Sequence, residues 1–246
     1  IPEYLKLLKN IGPNGESGIS ELANYTLDKI SAIYKEQGEL TKGFLCKKLG
    51  FQDLLSRPSM IVVNDLLVMY DKIETGQLTD YEIELTKDIF YNSEYQYDEK
   101  IGNYRYFYLG LNEEIKDKLI EIKGTIYLGM NDLENAIATF EKLPSTYQKH
   151  NKPADFWANN SKERFNMSDF QPFNLYIGSE KLKNNDPTFN KLKLAKQLKA
   201  IEDKIKKGTG DIAMSYYKLG VAHFNMSNEG EGWRAIDYWW SSYGND

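Results

Sequence analysis

The sequence holds one cysteine, two histidines and no long apolar run, and each scarcity removes a class of protein. A lone cysteine, Cys46, cannot form a disulfide within the chain, so the fold must rest on its packed core. No apolar run approaches the roughly 18 residues that a membrane-spanning helix needs. The two histidines lie far from Cys46 and from any carboxylate cluster, which disfavours a zinc site. A net charge of −5 disfavours nucleic acid as a general partner.

The motifs of catalysis are also missing. The sequence has no phosphate-binding loop of the Walker type, no G-x-G-x-x-G, and no nucleophile elbow. Carboxylates are plentiful but spread along the predicted helix faces, so no pair is marked out for acid–base work. We therefore predict a protein that is not an enzyme, with no catalytic residues, no cofactor and no metal.

Helical periodicity dominates the first half of the chain. Turn and capping signals predict helices over residues 1–10, from Ser17 or Ser20 to Gly38, from Thr41 to about Gly50, from Pro58 in a first turn to Gly76, and from a Thr79–Glu82 capping box onward. Short connections between such helices favour antiparallel packing. Aromatic residues then crowd residues 91–111. Two interpretations stay open there: an aromatic core between helix pairs, or an exposed groove for a peptide or sugar.

The clearest repeat covers residues 112–144. Apolar, glycine, tyrosine, alanine and aromatic positions recur at the offsets of a repeat of about 34 residues: Ile120, Gly124, Tyr127, Ala136 and Phe140. Gly124 and Ala136 would allow two helices to cross closely, with aromatic side chains filling the space above. Asn131 and Asp132 mark the turn between the helices, and Pro144 follows the second.

A degenerate second copy is predicted over residues 211–243. Its first helix places one stripe of residues at helical spacing: Tyr216, Leu219, Gly220, His223 and Phe224. Gly220 costs about 1 kcal/mol inside a helix, which indicates close approach of a neighbouring helix. Ala235 and Trp239 would face this stripe from a second helix.

The segment between the two copies is predicted in two parts. Residues 145–186 are expected to form a long irregular loop. The next helix is expected to begin with Asp186 as its cap and Pro187 as its first residue, and to end near Gly208. Its lysines indicate a solvated face, and a phosphate-binding or membrane-surface face is the alternative.

These motifs resemble the tetratricopeptide repeat. Residues 170–243 are moreover similar to the C-terminal part of large, uncharacterised tetratricopeptide proteins of Bacteroidetes. The shared features are the step at residues 172–174, the lysine-rich helix at 191–208, Y-Y-K-L-G, F-N-M-S and the Gly232–Trp233 step. The resemblance implies an all-α fold, a right-handed α-solenoid of antiparallel helix pairs. It also implies an envelope-associated lipoprotein with no catalytic residues. Such relatives hold cysteines within residues 174–190, and this chain has none there.

We therefore expect a single helical array over residues 1–246 that acts as a protein–protein interaction scaffold of the cell envelope, periplasmic or at the outer membrane, with a cytoplasmic location as the alternative. The chain starts at Ile1 without an initiator methionine, so we expect a piece of a longer protein, attached to a membrane only through an N-terminal lipid anchor. The alternative function is glycan binding by a surface lipoprotein of a polysaccharide-utilisation system. Its candidate contacts, for partner or glycan, are Trp157, Tyr176, Trp233, Trp239 and Trp240.

Overall fold

The computed structural model describes residues 17–47, 51–99, 103–150, 190–227 and 235–238. Within these ranges the chain forms ten helices and two strands, in this order: α1 (Ser17–Glu36), α2 (Leu40–Cys46), α3 (Phe51–Ser56), α4 (Met60–Glu74), α5 (Asp80–Phe90), β1 (Tyr91–Asp98), β2 (Asn103–Leu111), α6 (Ile115–Gly129), α7 (Leu133–Phe140), α8 (Ser145–His150), α9 (Lys191–Lys207) and α10 (Ile212–Met226). The predicted helix over residues 1–10 lies outside the described residues. The fold is mostly helical, as predicted. No helix of the described part has the length and apolar content needed to cross a bilayer.

The prediction of an all-α fold is wrong for residues 91–98 and 103–111, which form the two antiparallel strands of a hairpin. β1 follows α5 directly, and the register pairs Tyr95 with Tyr106 and Tyr97 with Tyr104. The backbone N–H of Asn112 then donates to the carbonyl of Phe90, which closes the hairpin where it leaves the helix. Alternate residues of a strand share one face, so tyrosines two apart fit a strand, whereas a helix would scatter them.

The chain divides into two compact units, Ile1–Leu119 and Ile120–Asp246. The expectation of one continuous array over the whole chain stays a prediction. In the first unit, the helix ends follow the signals in the sequence. Gly38 and Gly76 adopt positive φ just beyond α1 and α4, which glycine does at little cost. The Thr79–Glu82 capping box is present with both of its reciprocal bonds.

Two boundaries in the first unit differ from the prediction. Pro58 precedes α4, whose N-cap is Ser59, so the proline lies before the first turn and not in it. The short helix α3 was not predicted. Sequence reasoning also missed Gly43, where a Cβ would lie 2.9 Å from a Lys35 side-chain carbon and 3.0 Å from the Ser31 carbonyl. The Ser31 hydroxyl donates to the Gly43 carbonyl at 2.6 Å, which fixes α1 against α2 at this close contact.

The core of the first unit is built from several helices. Ile30, Tyr34 and Cys46 are buried together, and Leu85 packs against them. Elsewhere in the unit, the rings of Tyr70 and Phe90 meet edge to face, with centroids 5.6 Å apart. Such a geometry suits the charge distribution of aromatic rings.

In the second unit, α6 and α7 form the predicted helix pair. Asn131 takes the left-handed conformation in the turn, and the Asp132 side chain accepts the Asn135 backbone N–H to cap α7. Residues 145–150 form α8, which corrects the first part of the predicted irregular loop. Further along, α9 begins at Lys191 with Asn190 as its N-cap, and not at Pro187, and it ends at Gly208 in the left-handed conformation.

The second predicted helix pair is assembled differently. α10 packs against α9, from which only residues 208–211 separate it. The described residues that follow α10, 235–238, are not α-helical, which contradicts a second helix through Ala235. Ala235 and Ile236 nevertheless pack against the unit's buried cluster.

Candidate binding surface

The repeat signature of residues 112–144 forms a real packing site. Phe140 and Ala136 are buried, and Ile120 and Tyr127 pack against the same cluster. A Cβ built on Gly124 would lie 2.4 to 2.8 Å from three carbons of the Phe140 ring. Real Cβ atoms do not approach other atoms so closely. Only glycine at position 124 therefore leaves room for the Phe140 ring against α6. Ile120, Tyr127, Ala136 and Phe140 thus belong to one packed cluster, with Gly124 against the Phe140 ring, and their membership of a repeat stays a prediction.

The signature of the second copy is oriented differently. Leu219 packs partly against the cluster, but Gly220 and His223 are exposed, and a Cβ at Gly220 would meet nothing within 4 Å. The predicted close approach of a helix at Gly220 is therefore absent within the described residues. The buried side chains of α10 are not aromatic: Ser215, Ala222 and Met226.

The exposed side of α10 is strongly aromatic. Tyr216, Tyr217 and Phe224 expose 61%, 46% and 59% of their surfaces, and they surround Gly220 at helical spacing. We call Tyr216, Tyr217, Gly220 and Phe224 the α10 face. With an aromatic side chain presenting about 150–250 Å², its exposed area is roughly 300–400 Å². That is the size of the largest patch on a typical monomer, which is often functional.

A cleft lies between α9 and α10, on the side of α10 that carries Met214, Ser215 and Lys218, which is turned away from the side that carries Gly220. It encloses about 610 Å³ and is lined by Gln197, Ala200, Ile201, Lys204, Thr209, Gly210, Asp211, Met214, Ser215 and Lys218. Met214, which is 46% exposed, belongs to the cleft and lies two residues before Tyr216 and three before Tyr217 of the same helix. Most of its accessible lining is apolar, and its charged residues are Lys204, Asp211 and Lys218.

A buried ion pair is the second notable feature of this unit. The Lys191 ammonium lies 2.6 Å from Glu121 Oε1 and 2.9 Å from Thr125 Oγ1, and the two charged side chains expose only 16% and 10%. The Tyr238 hydroxyl is 2.8 Å from Thr125 Oγ1 and 3.4 Å from the ammonium, whose nitrogen stands 4.4 Å from the ring centroid. Lys191 was predicted on a solvated face, and this burial corrects it.

The hydrogen bonds of this cluster are internally consistent. The ammonium has three protons and three acceptors, and the Thr125 hydroxyl donates a hydrogen bond to the Glu121 carbonyl at 2.9 Å. Burial, followed by the nearby Glu121 charge, raises the pKa of Tyr238 well above its usual value, so the hydroxyl stays protonated and donates to Thr125. The arrangement binds α6, the start of α9 and residues 235–238 to one another, which is a structural role.

Other α9 lysines also reach a neighbouring helix. Lys196 pairs with Glu141 at 2.7 Å, and Lys199 pairs with Glu134 at 3.1 Å. These two lysines of α9 therefore form ion pairs with acidic residues of α7 and of its C-cap. Among the described residues, no group of three or more histidine, cysteine, aspartate or glutamate side chains is placed to hold a metal ion.

The hairpin offers a smaller aromatic surface in the first unit. Tyr97 and Tyr108 expose 53% and 39% of their surfaces. The Tyr108 hydroxyl donates to Asp88 Oδ1 at 2.6 Å, and the Lys87 ammonium stands 5.5 Å from its ring centroid. Of the two interpretations of residues 91–111, exposure of these two rings favours the surface over a closed core.

The five side chains predicted as ligand or partner contacts, Trp157, Tyr176, Trp233, Trp239 and Trp240, lie outside the described residues. Their role stays a prediction. No family model, curated protein or solved structure matches this chain.

Proposed function

We propose that this chain is a non-catalytic protein-interaction scaffold, built from tetratricopeptide-like helix pairs, whose docking surface includes the α10 face. The observation that carries the proposal is the exposed aromatic stripe around Gly220. Helix-pair proteins bury such a stripe against the next helix, because each pair leaves one apolar side uncovered. Here the described residues supply no such helix, so a partner is the natural cover.

Two further features support this proposal. The α6–α7 pair packs Gly124 under Phe140, at the offsets that a tetratricopeptide pair uses. Aromatic residues are also the side chains that dominate the energetics of protein interfaces. An envelope location and attachment through a lipid anchor are supported by the resemblance alone and form part of the proposal.

The experiment is site-specific cross-linking in the native cell. A photoreactive phenylalanine analogue replaces Phe224 in the full-length protein, and the same analogue replaces Val68 as the control. Val68 is an exposed apolar residue on α4, outside the second unit. We expect a defined protein adduct from position 224 and none from position 68.

A point variant makes the result specific. Tyr216→Ala should remove the adduct formed at position 224 while the thermal unfolding midpoint stays within about 2 °C, because Tyr216 is mostly exposed. Adducts that survive this change, or that form equally at position 68, would contradict the proposal. Fractionation of cells expressing the tagged protein tests the envelope location separately.

Glycan binding is the second candidate function, and the exposed tyrosines of the hairpin favour it. Tyr97 exposes 53% of its surface on a two-stranded sheet, and an exposed aromatic ring is the kind of platform on which a sugar ring can stack. A glycan array probed with the wild-type chain and with Tyr97→Ala tests it. Binding that the variant loses would support this function, and an array without signal would remove it.

A further inference from the structure

Residues 235–238 lie as a short strap against α6, and we call them the strap. Each of the four residues is half-buried. A Cβ built on Gly129 would lie 3.5 Å from the Cβ of Ile236, and the Tyr238 hydroxyl is 2.8 Å from Thr125 Oγ1. Four residues make about one turn of a helix, so Ile236 and Tyr238 contact successive turns of α6.

The walls around the Tyr238 side chain belong to helices. Glu121 and Thr125 are one turn apart on α6, and Lys191 is the first residue of α9. The Lys191 ammonium lies 2.6 Å from Glu121 Oε1, and the Thr125 hydroxyl donates to the Glu121 carbonyl at 2.9 Å. None of these contacts involves the strap, so the walls keep their arrangement without it. A space of this kind is pre-formed, as small binding sites usually are.

The strap is attached to the helices through its side chains. Within the described ranges, no backbone–backbone hydrogen bond joins it to a helix. The Tyr238 backbone N–H donates instead to the carboxylate of the neighbouring Asp237 at 2.7 Å. Segments with few backbone ties and half-buried side chains open at a lower free-energy cost than the helices beneath them. The strap can therefore leave while α6 and α9 keep their own hydrogen bonds.

The space under the strap suits the phenol group of an unmodified tyrosine. The Lys191 ammonium is 4.4 Å from the centroid of the Tyr238 ring, a distance at which a cation attracts an aromatic face. A phenylalanine would leave Thr125 without the hydroxyl that it meets now. A phosphotyrosine would bring about two negative charges to Glu121, whose side chain is only 10% exposed.

From this geometry we infer that the space under the strap is a tyrosine-binding pocket. The chain fills it with its own Tyr238, and a partner segment with an aliphatic residue two positions before a tyrosine fills it when the strap opens. The residue that now occupies the pocket defines this chemistry, with Ile236 as the aliphatic residue. The pocket goes beyond the proposed function, because it adds a partner site that does not involve the α10 face.

The test measures how synthetic peptides bind when the pocket is open. Tyr238→Ala removes the ring that fills the pocket. One peptide carries A-I-D-Y between Gly-Ser flanks with blocked ends, and two others replace its tyrosine by phenylalanine or phosphotyrosine. Chemical-shift titration of the isotope-labelled full chain gives each affinity and the residues affected. We expect the tyrosine peptide to bind Tyr238→Ala at least about tenfold more tightly than the wild type, whose strap competes for the pocket.

Matched threonine variants test the recognition in the Tyr238→Ala background. There the tyrosine peptide should bind at least about tenfold more tightly than the phenylalanine and phosphotyrosine peptides. Thr125→Val removes the hydroxyl that meets the phenol and should erase the preference over phenylalanine. Thr86→Val makes the same change at a buried threonine of α5 and should leave the preference unchanged. If Tyr238→Ala does not fold, Tyr238→Phe replaces it, with an expected gain of about threefold over the wild type.

Five results would overturn the inference. The first is a tyrosine peptide that binds neither variant of Tyr238 in its folded state. The second is unfolding of both variants, because the strap would then belong to the core. The third is a set of chemical shifts away from α6 and α9. The fourth is tighter binding of the phosphotyrosine peptide, which would assign Lys191 to a phosphate. The fifth is a wild-type dimer in sedimentation that Tyr238→Ala dissociates, which would assign the pocket to the strap of a second copy. Cross-linking at position 224 tests the proposed function independently of all five.

Discussion

Gly124 and Gly220 hold equivalent positions in the two predicted repeat copies, yet alanine should affect them in opposite directions. Both glycines lie inside helices, so each gains about 1 kcal/mol of helix propensity when it becomes alanine. At Gly220 the new methyl group meets nothing within 4 Å, and the gain should appear in full. At Gly124 the same methyl group would lie within 2.8 Å of three carbons of the Phe140 ring.

The cost at Gly124 depends on whether the ring can move. Phe140 is buried in the cluster that also holds Leu194 and Leu198, so its ring cannot shift without displacing core side chains. Forcing extra volume into such a core costs about 1–3 kcal/mol. The helix-propensity gain is common to both variants and cancels in their difference. Gly220→Ala should therefore exceed Gly124→Ala in free energy of unfolding by about 1–3 kcal/mol.

Urea unfolding followed by circular dichroism measures both variants on the same scale. A third background tests the cause: in Phe140→Leu, which lacks the ring edge, the penalty for Gly124→Ala should shrink by at least about 1 kcal/mol. If the two alanine variants were equally stable, or the penalty were unchanged by Phe140→Leu, the packing described for Gly124 would be refuted.

Three further predictions concern other contacts. Lys191→Met should cost about 3 kcal/mol, because it leaves the buried Glu121 charge without its partner, and Lys191→Met with Glu121→Leu should cost less than this single change. Thermal unfolding of the wild type and the two variants measures both losses, and an equal or greater loss in the double variant would contradict the prediction. Thr79→Ala should cost about 1 kcal/mol at pH 7. Hydrogen bonds from the Thr79 backbone N–H and hydroxyl lower the pKa of Glu82. The stability that these bonds contribute is therefore present above the unfolded-state pKa of about 4.3, and it is lost as the pH falls through the lower folded-state pKa. Urea titrations at several pH values should show the effect of Thr79→Ala shrinking in acid, and a constant effect would count against the capping box. Burial raises the pKa of the Cys46 thiol, so iodoacetamide should label it only through unfolding, and rapid labelling of the native protein would refute this.

The parts of the fold that depend on neighbours in sequence were predictable. The capping box at Thr79 and the left-handed glycines after α1, α4 and α9 act over a few residues, and the structure places them as the sequence indicates. The packing of Gly124 under Phe140 was also predictable, because a helix pair with a short turn fixes which positions meet. The hairpin carried a usable signal as well. Tyrosines alternate with other residues on both sides of Gly102, a strand pattern that both interpretations of residues 91–111 overlooked.

The rest depended on contacts that are distant in sequence. α10 has apolar residues on all sides and little charge, so two stripes with helical spacing were available. Only packing against α9 decides that Ala222 and Met226 turn inward while Tyr216 and Phe224 remain exposed. The burial of Lys191 likewise depends on Glu121, seventy positions earlier in the chain.

The hairpin also affects the solubility of the protein. Each strand of a two-stranded sheet leaves one edge without a strand partner in the described structure, and open edges recruit strands from other molecules. β2, from Asn103 to Leu111, is rich in aromatic residues and contains a single charged residue, Arg105. Segments of this composition form cross-β aggregates when they are exposed, and an isolated charge within them acts as a gatekeeper. Because Arg105 is the single charge in this strand, we expect its neutralisation to lower the solubility of the chain before it changes the fold.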